Sequence, residues 1–109
     1  VKLPEQGQRL RIYIGESDQW EGRPLYEALV LLARERHLAG ATVLRGPLGF
    51  GAHSRIHTTK LLTLSEDLPV VVEMVDSPEK IAEFLPLVDE RVHEGLVTLE
   101  PVTVFKYRA

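Results

Sequence analysis

Between Gln8 and Gly15 apolar and polar residues alternate strictly, with Leu10, Ile12 and Ile14 on one side and Arg9, Arg11 and Tyr13 on the other. This period of two predicts a strand with one apolar face. Glu16-Ser17-Asp18 breaks it. Leu25, Ala28, Leu29 and Leu32 then recur at helical spacing, with Tyr26, Val30, Ala33 and His37 as a second stripe. Pro24 is expected in the first helical turn and Gly40 as the stop, with Arg36 and His37 near the negative end of the helix dipole. A second strand over 41–44 enters a glycine-bearing loop. Leu61 to Leu64 reads as a hairpin arm, and residues 65–69 turn the chain back. Val70 to Val75 is strongly β-prone and reads as a central strand. Asp76-Ser77-Pro78-Glu79 opens a second helix, marked by Ile81, Phe84, Leu85, Val88 and Val92. Pro86 predicts a kink or one lost backbone bond inside it, and Gly95 its end. Leu96 to Leu99 and Val102 to Tyr107 read as two strand pieces parted by Glu100-Pro101.

Strand, helix, strand, repeated once, packs as a four-stranded antiparallel sheet with both helices on one face, an α+β ferredoxin-like βαβ-βαβ sandwich. The expected core face carries Leu10, Ile12, Ile14, Val70, Val72 and Met74. The bare face carries Arg11, Tyr13, Val71, Glu73 and Val75, and the tail adds Phe105 and Tyr107 as candidates. Such a face is too apolar for water alone and polar enough for an interface, so a homo-oligomer closed by it is expected, with Arg11 and Glu73 as a candidate pair. One domain accounts for all 109 residues.

Composition narrows the chemistry. Thirteen basic against sixteen acidic residues give a net charge of −3, which argues against a nucleic-acid protein. The absence of cysteine excludes disulfides, thiolate chemistry and cysteine-ligated zinc. No apolar run approaches the ~20 residues needed to cross a bilayer, and VKLPEQGQR has no signal-peptide core. A soluble, cytoplasmic protein without direct membrane insertion is the expectation. Val1 need not be the natural start.

The stretch of greatest chemical interest is GATVLRGPLGFGAHSRIHTTK, 40–60. Arg45, His53, Arg55, His57 and Lys60 surround Gly46, Gly49 and Gly51 with no acidic residue between 41 and 65, so an anion would meet backbone donors and positive charge there. The spacing G-x-x-G-x-G is neither the dinucleotide fingerprint nor a Walker loop. The competing reading is a surface loop with turn glycines and Arg45 in a surface salt bridge. His53 and His57 are weak metal candidates, lacking an acidic or thiolate partner nearby. No nucleophile elbow or carboxylate dyad is present, and no enzymatic activity is expected. Trp20 before a helix reads first as a pin to the sheet, and next as a ring that could stack on a ligand.

Asp18-x-Trp20-x-Gly22-Arg23-Pro24-Leu25-Tyr26, Ala39-Gly40-Ala41-Thr42-Val43, Arg45-Gly46, Gly49-Phe50-Gly51 and Leu68-Pro69-Val70 together resemble the PII-like family called domain of unknown function 190. The resemblance covers nearly the whole chain and is most specific from 39 to 51. It implies a PII-like trimer with its sheets facing the centre. It also implies a signalling or regulatory module that binds a small anionic ligand, with an adenine nucleotide as the candidate, in clefts between subunits. A long loop at about 50–64 would touch a protein target, a membrane-associated one included. The implied ligand set is Arg45, Gly46, Gly49, Phe50, Gly51, Arg55 and Lys60 at the loop, with Lys106 and Arg108 from the end of the chain. Ala52 and His53 stand where PII proteins usually carry a glutamine, and His93-Glu94-Gly95 is all that corresponds to their phosphate loop. The alternatives are a CutA-like metal-binding trimer and a purely structural or interaction trimer.

Overall fold

A computed structural model of the chain describes residues 3–49 and 67–109. The first strand, β1 (Gln6–Gly15), is followed by a hairpin of two-residue strands, β2 (Gln19–Trp20) and β3 (Arg23–Pro24), and by helix α1 (Leu25–Glu35). Then come β4 (Thr42–Arg45), β5 (Pro69–Asp76), α2 (Pro78–Arg91) and β6 (Leu96–Thr103). The main sheet has the order β4-β5-β1-β6 with every pairing antiparallel, which is the expected α+β ferredoxin-like arrangement. Of its two central strands, β1 alternates strictly in sequence, whereas β5 is apolar from Val70 to Val75 except at Glu73 and alternates in burial. That alternation is what sets the register, because a slip of one residue would turn every apolar side chain to the wrong face.

Leu10, Ile12, Ile14, Val70, Val72 and Met74 are all buried under Leu25, Leu29 and Leu32 of α1 and Ile81, Phe84 and Val88 of α2, as their spacing requires. Arg11 pairs with Glu73 on the bare face, Nε to Oε2 at 2.7 Å. Arg9 donates to Glu100 from Nε at 2.9 Å and Nη2 at 2.5 Å, and Arg11 Nη1 reaches the same Oε1 at 3.3 Å. A ladder of alternating charge therefore crosses β6, β1 and β5. Tyr13, Leu44 and Leu96 share the face with it and stay exposed.

Several local expectations are corrected. Gly40 does not stop α1. The helix ends at Glu35, and His37 takes the left-handed conformation (φ 61°) that glycine usually supplies. Its N–H donates to Arg34 O at 3.1 Å and that of Leu38 to Ala33 O at 3.0 Å, the paired bonds of a Schellman turn. Leu38 packs on the core and Lys80 Nζ donates to His37 O at 2.5 Å, so packing and a cation hold the strained residue. Pro24 lies in β3 and precedes α1 rather than entering its first turn, and the Leu25 N–H donates to Asp18 O. Glu21-Gly22, both at positive φ, form the tight turn between β2 and β3.

The last strand is one piece. β6 runs straight through Pro101, because an edge strand has a side on which a missing N–H costs no ladder bond. Residues after Thr103 leave the sheet: Phe105 is almost wholly exposed, and the Tyr107 hydroxyl donates to Ala39 O at 3.1 Å. Helix α2 passes Pro86 without interruption; the carbonyl deprived of a donor belongs to Ala82, which is exposed to water. It ends at Arg91, ahead of Gly95, whose φ of 149° and close approach to Tyr13 O leave no room for a Cβ. The expected arm at Leu61 to Leu64 lies outside the described residues.

Candidate functional site

β4 ends and β5 begins side by side, so the sheet itself assembles the base of the segment that joins them. Gly46 N–H donates to Pro69 O at 2.8 Å. A Cβ on Gly46 would lie 2.9 Å from Pro69 Cγ, and one on Gly49 3.0 Å from the same atom, with Gly49 at φ 158°. The two glycines are therefore required by a proline ring wedged against the turn, where any larger residue would push the strands apart.

Arg45, paired opposite Val70, projects on the helix side toward Tyr26 in the first turn of α1. Its Nη2 donates to the Tyr26 hydroxyl at 3.1 Å and lies 3.1 Å from Glu16 Oε2, with the guanidinium carbon 5.6 Å from the ring centroid. The arginine is half exposed, so charge and donors remain available to solvent. Glu16 is itself fixed: its N–H donates to Leu68 O at 2.8 Å. The next residue, Ser17, donates to Asp67 Oδ1 from N at 3.2 Å and from Oγ at 2.8 Å. Four chain segments thus meet here, the end of β1, the start of α1, the end of β4 and the start of β5.

Of the residues implied as ligand contacts, Arg45, Gly46 and Gly49 are brought together at this base. Lys106 and Arg108 are exposed in the terminal segment, which Tyr107 ties to Ala39, near the far end of β5 where Asp76 accepts from Ala39 N. The length of β5, roughly 23 Å at ~3.3 Å per residue, separates the two groups within one chain. Phe50, Gly51, Arg55 and Lys60, and the histidines His53 and His57, lie outside the described residues. Among the described residues no cluster of three His, Cys, Asp or Glu could hold a metal ion. Glu16, Tyr26 and Pro69 complete the site; Tyr26 and Pro69 stood in the segments that carry the family resemblance, whereas Glu16 carried no signal for it and meets Arg45 only through the fold.

A separate groove of about 580 Å³ lies on the helix side, lined by Trp20, Arg23, Leu31, Arg34 and Arg91 among others. Arg91 stacks 5.0 Å from the Trp20 ring and donates to Leu87 O and to Glu90 Oε1. Trp20 also packs on the core, and its partner Arg91 stands in the last turn of α2, so the ring ties the hairpin to that helix instead of serving only as the expected pin between α1 and the sheet.

Comparison with known proteins agrees with this architecture. Among solved structures the fold is similar to CPII from Thiomonas intermedia K12, a nitrogen regulatory PII-like protein. The form bound to ADP and bicarbonate superposes with a TM-score of 0.60 at 18% identity, covering 93% of this chain and 90% of that one. A functionally unknown protein from Pediococcus pentosaceus is similar at a TM-score of 0.55 and 13% identity, covering 95% and 96%. At these identities the likeness speaks for the fold alone. By sequence, a UPF0166 protein of Aquifex aeolicus is 46% identical over 87% of this chain and 90% of its own length. Another, from Methanocaldococcus jannaschii, is 33% identical over 89% and 90%. The family model described as DUF190, Uncharacterized ACR, matches residues 7–104, and the chain belongs to that family.

Proposed function

We propose that the protein is a PII-like regulatory module that binds a small anionic ligand at the base of the segment between β4 and β5, and that copies of the chain associate through the bare sheet face. The observation that carries this reading is the half-exposed Arg45 guanidinium, held by Tyr26 at the turn where β4 leaves the sheet. Multiply charged oxyanions fit a guanidinium and nearby backbone N–H groups better than neutral ligands do. A PII-like neighbour bound to ADP and bicarbonate makes adenine nucleotides the first ligands to try. In an oligomer a second chain would be needed to bring Lys106 and Arg108 to the same anion. The 50–64 segment is then the part offered to a protein target, and no covalent chemistry is assigned to the site.

Isothermal titration with ATP, ADP, AMP and cyclic nucleotides tests the reading. Binding of one of these with micromolar or tighter affinity, abolished by Arg45→Ala in a protein of unchanged circular dichroism, is expected. Silence across the panel, or full affinity in Arg45→Ala, rejects it and leaves an assembly role carried by the sheet face. CutA-like metal binding is the second alternative, and stoichiometric metal in native mass spectra would select it.

A further inference from the structure

Glu16 occupies the guanidinium that the proposed ligand needs. Its Oε2 sits 3.1 Å from Arg45 Nη2, the same nitrogen that donates to Tyr26. The carboxylate is delivered by a backbone tied down on either side of it: Gly15 N–H donates to Asp18 Oδ2 at 3.0 Å, Glu16 N–H to Leu68 O at 2.8 Å, and Ser17 to Asp67 Oδ1. Gly15 is needed for this, since a Cβ there would collide with the Asp67 carboxylate. Asp67 is held at a positive φ of 46°, a conformation that persists only where its surroundings enforce it.

We propose that Glu16 is an internal competitor for the anion at Arg45, and that its displacement transmits ligand binding to Asp67 and Leu68 at the entrance to β5. The inference rests on the ligand reading above and concerns the regulation of the same site. An intramolecular carboxylate competes at high effective concentration, so an incoming anion that takes the Nη2 edge of the guanidinium must exchange with it. An exposed ion pair is weak enough for a multiply charged oxyanion to replace it. Once displaced, the like charges of ligand and Glu16 repel, and the carboxylate can retreat only by moving the 15–18 turn. The backbone of Glu16 and both donors of Ser17 are tied to Leu68 and Asp67, while Asp18 O accepts from Leu25 N on the other side of the turn. The ion pair therefore couples an anion at Arg45 to the residues that close the 46–68 connection onto the sheet.

The test uses the full chain with pyrophosphate as probe, in wild type, Glu16→Gln and Arg45→Ala. Glu16→Gln is expected to bind pyrophosphate several-fold more tightly than wild type. Hydrogen exchange at the amides of Glu16 and Ser17 is expected to quicken on addition of pyrophosphate in wild type, and to be fast already, with little further change, in Glu16→Gln. Wild-type affinity in Glu16→Gln, or exchange at those amides that ignores the ligand in wild type, overturns the inference while leaving the site intact. Absence of wild-type binding, or binding that survives Arg45→Ala, overturns the site and the inference with it.

Discussion

Gly46→Ala isolates the contact on which the candidate site is built. Gly46 has no positive φ, so alanine meets no backbone strain there, and the unfolded-state gain of about 0.4–1 kcal/mol from Gly→Ala is common to the wild-type and Pro69→Ala backgrounds and cancels in the coupling. The new methyl would stand 2.9 Å from Pro69 Cγ and 3.7 Å from Pro69 Cβ. Carbon atoms settle at ~3.5–4.0 Å, so roughly 0.6 Å or more must be found by shifting the two strand ends against the Gly46–Pro69 hydrogen bond. Overpacking of this kind costs about 1–3 kcal/mol. The site is only partly covered, so relief toward solvent places the expectation at about 1–2 kcal/mol. Pro69→Ala removes the offending Cγ and keeps the harmless Cβ. In that background Gly46→Ala should cost no more than about 0.5 kcal/mol, a coupling of about 1 kcal/mol between the two positions. Urea unfolding followed by circular dichroism, at one fixed protomer concentration because association shifts apparent stability, measures all four proteins. Equal costs for Gly46→Ala in both backgrounds would refute the wedge.

Four further outcomes are expected. Phe84→Ala, which empties a fully buried ring position on α2, should destabilise by about 3–5 kcal/mol in the same unfolding assay. Ser77→Ala removes the side-chain oxygen that accepts from Lys80 N and should cost about 1 kcal/mol. Hydrogen bonds from Arg9, with its charge and that of Arg11, hold the Glu100 carboxyl below its ordinary value of 4.5. That group's contribution to stability is complete above the unfolded value and disappears as pH falls through the folded one, so Glu100→Gln should flatten the acid limb of stability against pH and leave its neutral limb parallel to wild type. Reversing one charge of the ladder in Arg11→Glu should weaken self-association in analytical ultracentrifugation, and Arg11→Glu combined with Glu73→Arg should restore part of it.

The fold was legible wherever one physical signal acted alone. Strict alternation in β1 told its two faces apart, the β-prone apolar run of β5 marked a central strand, and the Ser77-Pro78 start of α2 follows from capping chemistry. Legibility failed where tertiary contacts override a local preference. Gly40 was the better local stop, but Leu38 packing on the core and Lys80 holding the His37 carbonyl make a histidine turn the chain. Pro101 reads as a break, yet an edge position tolerates it. The Glu21-Gly22 turn offered no Asn-Gly or Asp-Gly pair and joins strands of only two residues, so the hairpin was not legible beside the helix pattern. At the site, Arg45, Gly46 and Gly49 stood out by residue type. Glu16 read only as a strand breaker, because nothing in the sequence marks an ion pair between residues so far apart along the chain.

The interface claim and the site claim meet in the assembly, since the sheet face that would join copies also decides whether a second chain reaches the anion. The mass in solution, measured by multi-angle light scattering at micromolar protomer, tests this most directly. The account predicts a small whole-number multiple of the 12.3 kDa chain that falls when Tyr13 and Leu96 are both replaced by Asp. A mass of 12.3 kDa for the wild-type protein across that range would contradict it.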